Sequence, residues 1–467
     1  MNRINKLLNG ILIAGLLIPG AVYASKTQST SYSAKTTINE DTKVETSSYD
    51  SSTGGENALL VTNGKVTIES ISVNKTGDES GDNSDFYGTN AAILVNDNGT
   101  LNIEGGEVTT NGSHANAVFA YTDGIINISD TIIKTSSNNS GGIMVTGGGE
   151  INASNLTVET SGGSSAPIRS DRGGGTITVN GGTYTSNGTG SPTIYSTADI
   201  IVNAAKLVSN VSSGVVIEGD NSVTLNDVEL YANNTKSNSK GEEANYKNIF
   251  IYQSTSGDAK EGTGTFKSTD STIITDNGST IFVTNTTADI TLENNQIINN
   301  DENNIFLKAT KARWGKEGSN GGNVILKLID QEVSGDIILD EISTLTMSLE
   351  EESVLTGAIN TDNTAKNISV SLTSNSIISL TNDSYITSLE NEIEDNSNIY
   401  SNGKYKLYVN GEEVQINEGM YNEDEINENV SIETVDENDN LNIIYIVTSI
   451  VFFVIISIVI TLKIKKV

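Results

Sequence analysis

The stretch "IRSDRGGG", Ile168 to Gly175, holds the mixed-charge cluster of the repetitive middle of the chain: Arg169, Asp171 and Arg172. Elimination in an acidic polysaccharide would need a cationic base together with carboxylates that hold Ca²⁺. The sequence repeats about every 25 residues. The equivalent positions in the neighbouring repeats are uncharged: Met144, Thr146 and Gly147 in the preceding one, and Thr193, Tyr195 and Ser196 in the following one. Because no stack of carboxylates is expected, we interpret the cluster as a local Arg–Asp pair at a turn.

The single histidine, His114 in "NGSHANAV", is the other candidate for catalysis. Glycoside hydrolysis needs a general acid and a second carboxylate that serves as base or nucleophile. No Asn-Thr-Asp or Asp-Asp pattern accompanies this histidine, so we expect a turn residue exposed to water. The sequence predicts no catalytic and no cofactor-binding residue.

Two further segments could bind a ligand. The loop "GDESGDNSD", Gly77 to Asp85, is rich enough in carboxylates to hold Ca²⁺ weakly, but its spacing is not that of an EF-hand, and we expect a solvated loop with no metal ligand.

The only tryptophan, Trp314, lies in a basic island with Lys308, Lys311, Arg313 and Lys316. It could stack on a sugar ring or fill a pocket of a partner, which makes Trp314, Arg313, Lys311 and Lys316 a possible ligand-binding loop. It could also fold back to plug the end of a stack of repeats, which we favour.

Columns of apolar residues show which elements must position these side chains. One column runs Leu101, Ile126, Ile151, Ile177, Ile200 and Val223, and another runs Val108, Ile133, Val158, Tyr184, Leu207 and Leu230. Between them apolar residues alternate with Thr, Asn or Ser and are bounded by glycine, which predicts short strands and tight turns. The Leu-x-x-Leu-x-Leu frame of leucine-rich repeats and the period of six of a hexapeptide helix are both missing. We therefore predict an all-β, right-handed parallel β-helix with three strands per coil.

Stacking would bury equivalent residues in continuous ladders, each about 4.8 Å from the next. We expect about eleven coils, hence a rod on the order of 50 Å long.

The predicted divisions of the chain are a lead-in over 25–57, the β-helix over 58–360, a capping region over 361–416 and an acidic stalk over 417–442. The period is interrupted at 74–88, 233–247 and 311–323, where inserted loops should leave the stack and carry recognition.

Both ends of the chain indicate export. Arg3 and Lys6 precede an apolar run and the small residues before Ala24, which predicts a signal peptide over 1–24. The uncharged stretch Ile443 to Leu462 is long enough to cross a bilayer as one helix, and the basic tail 463–467 should stay in the cytoplasm. No Leu-Pro-x-Thr-Gly motif precedes this span. We expect a single-pass membrane anchor with an extracellular body, and wall attachment is the weaker alternative.

Composition narrows the class of protein. The 467 residues contain no cysteine, which excludes disulfides and Cys-ligated metals, and the net charge of −32 disfavours nucleic acid as a partner.

Several phrases carry a resemblance: "RWGKEGSNGGN" at Arg313 to Asn323, "TGAIN" at Thr356 to Asn360, "DSYITSL" at Asp383 to Leu389 and "LYVNG" at Leu407 to Gly411. With the coil pattern, they resemble the pectin-lyase-like β-helix surface proteins of gut Firmicutes, over about residues 55 to 415. The resemblance implies the fold, a place at the cell surface and an adhesin-like function, in which the interrupting loops bind a host or matrix glycan or protein. The alternative is a polysaccharide lyase or glycoside hydrolase of the same fold.

Overall fold

Short strands of alternating apolar and polar residues stack coil upon coil into a parallel β-solenoid of about 15 turns. The computed structural model of the protein describes residues 30–237 and 245–422. The predicted signal peptide, transmembrane helix and cytoplasmic tail, and most of the predicted stalk, lie outside these residues. Within the described ranges, no helix is long and apolar enough to cross a membrane.

The strands of the first half are β1 (Ala34–Ile38), β2 (Thr42–Ser51), β3 (Asn57–Thr62), β4 (Lys65–Lys75), β5 (Ile93–Asn96), β6 (Thr100–Ile103), β7 (Gly106–Thr110), β8 (Val118–Tyr121), β9 (Ile125–Ser129), β10 (Thr131–Thr135), β11 (Ile143–Thr146), β12 (Gly149–Thr160), β13 (Ile168–Ser170), β14 (Gly175–Ser186), β15 (Ile194–Ser196), β16 (Asp199–Asn203), β17 (Lys206–Ser209), β18 (Val215–Glu218), β19 (Ser222–Asn226) and β20 (Glu229–Ala232). One short helix, α1 (Asp82–Tyr87), lies between β4 and β5.

The strands of the second half are β21 (Lys247–Tyr252), β22 (Thr263–Thr269), β23 (Thr272–Thr275), β24 (Ser279–Thr284), β25 (Thr286–Glu293), β26 (Gln296–Asn299), β27 (Ile305–Ala309), β28 (Gly322–Ile329), β29 (Glu332–Ser334), β30 (Asp336–Leu339), β31 (Thr344–Glu350), β32 (Val354–Thr356), β33 (Asn367–Leu372), β34 (Ile377–Ser379), β35 (Ser384–Ile386), β36 (Ser388–Asn391), β37 (Ile399–Tyr400), β38 (Leu407–Val409) and β39 (Glu412–Val414).

Each regular coil contributes one strand to sheet 1 and two strand segments to sheet 2. Sheet 1 has 12 strands in the order β1-β3-β5-β8-β11-β13-β15-β18-β21-β24-β27-β30, and sheet 2 has 20 strands. Every pair in these two sheets whose register is known is parallel, as in β8 with β11 and β9 with β12. The predicted parallel β-solenoid is confirmed, while the handedness of its coils stays a prediction.

The predicted apolar columns point into the bore. The register joins Leu101, Ile126, Ile151, Ile177, Ile200 and Val223 in succession. It likewise joins Val108, Ile133, Val158, Tyr184, Leu207 and Leu230. All twelve side chains are at most 1 % exposed, and they belong to one continuous core that runs through the stack. Stacking therefore buries side chains that no single coil could cover.

Asparagine ladders account for part of the unusual composition. Asn102, Asn127 and Asn152 occupy equivalent positions in three successive coils, and each amide donates to the carbonyl oxygen of the preceding one at 2.9 and 3.0 Å. Asn180, Asn203 and Asn226 repeat the arrangement at 2.9 and 2.8 Å. The ladders satisfy amide groups between coils in the same way that backbone groups are satisfied within the sheets.

The stack extends beyond the range expected from the columns. It begins at β1 and β2, inside the predicted lead-in, and β33, β34, β36 and β37 add further coils after position 360. The end coils raise the number of turns from the expected eleven to about 15. The first coil shows a weak apolar pattern because its inward residues are covered on one side only, as the half-buried Ala34, Thr36 and Ile38 illustrate. At the other end β38 pairs antiparallel with β39, which reverses the chain direction.

Candidate functional site

The outer face of sheet 1 is unusual because most residues of its central column are apolar. Across successive strands this column, which we call the outward column, runs Leu60, Leu94, Phe119, Met144, Arg169, Tyr195, Val216, Phe250, Phe282, Lys308 and Ile338. A sheet face turned away from the bore would be polar if water covered it. Instead Phe119 and Met144 are fully buried, and Phe282 is 1 % exposed. Among the described residues, the inserted segments 74–88 and 310–321 lie over this column, and Lys247, at the end of the third insertion, lies over the Phe250 and Phe282 rings.

The first insertion, residues 74–88, forms the N-terminal cover. Its helix α1 lies on sheet 1, where the Thr146 hydroxyl donates to the carbonyl oxygen of Phe86 at 2.7 Å. Gly88 ends the helix with φ 72°, and a Cβ there would lie 2.9 Å from Leu94 and 3.0 Å from Phe119. Only glycine suits this close approach and this backbone conformation. The expected solvated loop is found at residues 78–83, which are exposed, whereas the end of this segment is a helix whose Ser84 is buried.

The carboxylates of the N-terminal cover diverge rather than converge. Asp78 accepts from the Ser113 backbone at 2.7 Å, and Asp82 pairs with Arg172 at 3.1 Å. Among residues 30–237 and 245–422, no group of three or more His, Cys, Asp or Glu side chains could hold a metal ion.

His114 holds the N-terminal cover in place. Its Nδ1 lies 2.6 Å from Asp85 Oδ1, and its Nε2 lies 3.1 Å from the amide nitrogen of Asn139. A neutral ring that carries its proton on Nδ1 satisfies both contacts, since Nδ1 then donates and Nε2 accepts. The His114 side chain is 18 % exposed. His114 lies in a turn as predicted, but the expected exposure to water is wrong, because the ring joins α1 to the turns of two coils.

Residues 310–321 form the C-terminal cover. Trp314 is half-buried against Tyr252, with ring centroids 5.5 Å apart, and Arg313 lies over the indole at 4.2 Å. Tyr252 stacks on Phe250 at 4.4 Å, and Phe250 stacks on Phe282 of the next coil at 5.5 Å. Trp314 therefore packs against the side of the solenoid. The expectation that it plugs the end of the stack is wrong.

The other basic residues of the expected binding loop do not join Trp314. Lys311 pairs with Glu341 at 2.6 Å on an exposed surface, and Lys316 is exposed. Of the predicted ligand-binding set Trp314, Arg313, Lys311 and Lys316, only the first two line a cavity that adjoins the outward column.

Between the two covers a groove exposes the outward column at Arg169 and Tyr195. One half has a volume of about 350 Å³ and is lined by acidic residues that include Asp85, Asp171 and Asp258; we call it the acidic half. The other has a volume of about 160 Å³ and includes Trp314 and Arg313 in its lining; we call it the tryptophan half. Tyr195 and Tyr252 line both halves. The two cavities are therefore parts of one groove.

Ion pairs organise the acidic half. Arg169 donates to Asp171 Oδ2 at 3.2 Å and to the carbonyl oxygen of Ser164 at 3.1 Å, and its side chain is 11 % exposed. Burial raises the pKa of Asp171, and the neighbouring Arg169 charge opposes this increase. Arg169 stacks between Met144 and Tyr195, as expected from the repeat.

Arg172 joins elements that are far apart in the chain. It bonds Asp258 at 2.6 Å and Asp82 at 3.1 Å, and its guanidinium lies 3.8 Å from the centre of the Phe86 ring. It therefore ties the N-terminal cover to the loop after β21. The interpretation of Arg169, Asp171 and Arg172 as a purely local pair at a turn holds for the first two residues and is wrong for Arg172.

A buried carboxylate supports the groove from below. Glu218 is 1 % exposed, and its Oε2 accepts from the hydroxyls of Tyr195 at 2.5 Å and Tyr252 at 2.8 Å. The Ser254 hydroxyl donates to Oε1. Sequence reasoning missed Glu218, Tyr252 and Asp258, because the repeat period does not show that coiling brings these residues to Tyr195 and Arg172. The one available signal was the aromatic residue at an outward strand position, where alternation would place a polar side chain.

The geometry suits a hydroxyl-rich ligand. Aromatic rings can stack on the apolar face of a sugar, and paired Arg and Asp groups offer both donors and acceptors to its hydroxyls. Comparison with protein-family models, with curated proteins and with solved structures found no match to this chain. The fold is that of a parallel β-solenoid consistent with a pectin-lyase-like β-helix.

Proposed function

We propose that this chain is an adhesin-like surface protein that binds an oligosaccharide in the groove of sheet 1. The observation that supports the proposal is the gap between the N-terminal cover and the C-terminal cover, where a groove opens over the outward column. Tyr195 and the half-buried Trp314 contribute rings there beside the Arg169–Asp171 pair, and Tyr252, which is 7 % exposed, supports the indole. The covers are inserted loops, and recognition by such loops is common in repeat proteins. A protein ligand that inserts an aromatic or basic side chain would be the alternative occupant.

The proposed location rests on the two termini. We propose export by the signal peptide 1–24 and retention by the apolar span 443–462, with the body outside the cell. The net charge of −32 suits a body that stays soluble above an anionic membrane surface.

Binding can be followed through Trp314 because it is the only tryptophan of the chain. We expect the full-length protein in detergent to bind members of a glycan and mucin array, and the bound glycans to change the Trp314 emission. Trp314→Ala should weaken binding by about tenfold or more, since buried aromatic contacts dominate such sites. The matched control is Tyr385→Ala, which removes another stacked ring, 4.8 Å from Tyr408, far along the chain from the groove residues.

Equal binding by the Trp314→Ala and Tyr385→Ala proteins would place the ligand elsewhere. A complete lack of binding to the array would remove the glycan proposal and leave a protein ligand as the candidate.

The second candidate function is carbohydrate cleavage, and one observation favours it. Asp171 is a buried carboxyl with a raised pKa in the groove, and Asp258 and the Asp85–His114 pair lie in or beside the same acidic half. Raised carboxyl pKa values are typical of general acids. However, each of these carboxyls already has a partner: Asp171 bonds Arg169, Asp258 bonds Arg172 and Asp85 bonds His114.

We therefore expect no turnover. Pectate, polygalacturonate, alginate and chondroitin incubated with the protein, with and without Ca²⁺, should yield neither unsaturated products nor new reducing ends above buffer. Product formation that disappears in Asp171→Asn, and persists in Lys206→Met on the far surface, would show that the groove is an active site.

A further inference from the structure

Glu218 is the last residue of β18, and its carboxylate lies beneath the groove rather than in it. Ile217 belongs to the core that fills the bore and Val216 to the apolar cluster on the outer face, so the alternation along β18 directs Glu218 outward. In the register Glu218 lies opposite Tyr252 of the following strand of sheet 1, and Val216 lies opposite Tyr195 of the preceding one. The carboxylate is therefore placed between two tyrosines from different coils.

The side-chain partners of Glu218 are hydroxyl donors. A carboxylate can only accept, whereas a tyrosine hydroxyl can donate, so two tyrosines that share Oε2 must both point at the same atom. Burial is the main cause that raises the pKa of Tyr195 and of Tyr252 well above the ordinary value, and the Glu218 charge adds to the increase. Both hydroxyls therefore stay protonated, and each ring is directed by one charge-assisted hydrogen bond.

A buried carboxylate needs a physical reason to be there. Burying its charge is costly, and an apolar residue of similar volume is often neutral or stabilising in such a place. The reason lies in the positions of Tyr195 and Tyr252, the two residues that Glu218 binds. Tyr195 and Tyr252 line both halves of the groove, and Tyr252 also contacts Trp314 and stacks on Phe250.

We infer that Glu218 is the positioning residue of the groove: it does not reach the ligand, but its hydrogen bonds set the orientation of Tyr195 and Tyr252 and, through Tyr252, of Trp314. The inference rests on the proposed function for its consequence, since correctly oriented rings are what a sugar would stack on. The arrangement of the rings itself does not depend on which ligand binds.

The test uses Trp314 as a reporter in the full-length protein. Glu218→Gln keeps the size of the side chain but removes the charge and one acceptor oxygen. We expect the Trp314 emission maximum to shift to longer wavelength and acrylamide quenching to increase, because Tyr252 no longer holds the indole. The control is Ile217→Val, one residue earlier in β18, which should lower the melting temperature without changing the emission of Trp314.

The hydroxyls provide a second test that does not depend on the folding of Glu218→Gln. A protein with both Tyr195→Phe and Tyr252→Phe keeps the rings but loses their hydrogen bonds, and we expect it to show the same change in emission. Adding Glu218→Gln to this double variant should change the emission little further, since the three groups act as one unit. A general loss of stability would instead give additive effects.

Unchanged emission and quenching in both Glu218→Gln and the double tyrosine variant would overturn the inference, whatever the glycan array shows. If those variants change the emission while the wild-type protein binds no glycan, the proposed function fails and the role of Glu218 in placing the rings stands.

Discussion

Ile200→Asp is expected to destabilise the solenoid by about 4 kcal/mol, among the largest effects of any single substitution in the chain. Ile200 is fully buried in the bore between Ile177 and Val223. An aspartate there would have no hydrogen-bond donor or cation within the apolar column, so its charge must be lost or the coil must open. Melting followed by circular dichroism measures the effect.

The next residue of the same strand provides the control. Ile201 is 42 % exposed and lies between Thr178 and Thr224, with no acidic neighbour in the register. Ile201→Asp introduces the same side chain on the opposite face of β16, and we expect a change of less than about 1 kcal/mol. Similar melting temperatures for the two variants would contradict the assignment of the columns to the bore.

Arg169→Met is expected to cost about 3 to 5 kcal/mol at pH 8, because it leaves the Asp171 carboxylate buried without its cation. The Asp171 side chain is 7 % exposed, and methionine should fit the space between Met144 and Tyr195. The main loss is therefore electrostatic rather than one of packing. Urea unfolding at several pH values separates the two contributions.

The pH dependence has a definite sign. Burial raises the pKa of Asp171 in the folded protein, and removal of Arg169 removes the group that opposes this increase. The folded state then disfavours the ionised carboxyl, so the penalty is fully present above the folded pKa and is relieved as the pH falls through it towards 3.8, the value without perturbation. We expect the cost of Arg169→Met to shrink markedly between pH 8 and pH 4.

Two comparisons make this prediction specific. Adding Asp171→Asn to Arg169→Met should recover much of the stability at pH 8, since no buried charge remains. Lys206→Met breaks a surface pair with Glu229, whose side chains are 50 and 46 % exposed, and should cost less than about 1 kcal/mol. A cost for Arg169→Met that is the same at pH 4 and pH 8 would show that the pair does not behave as a buried ion pair.

The sequence by itself determined the repeating part of this protein. A column such as Leu101, Ile126 and Ile151 predicts both the strand alternation and the register, because a coil can bury its apolar residues only against equivalent residues of the next coil. The end coils were harder to predict, since strands covered on one side tolerate polar residues, as β1 does.

Only the tertiary structure decided the groove. The repeat period carries no information about where an inserted segment folds back, and the contacts that close the groove join residues far apart in sequence: His114 and Asp85 by 29 positions, Arg172 and Asp258 by 86. Glu218 gained its role only when coiling placed two tyrosines of other coils over it. Each coil of a solenoid is stabilised by contacts with its neighbouring coils, so the residues of one repeat predict those contacts. The position of an insertion instead depends on the few apolar and charged groups that it meets on the folded surface.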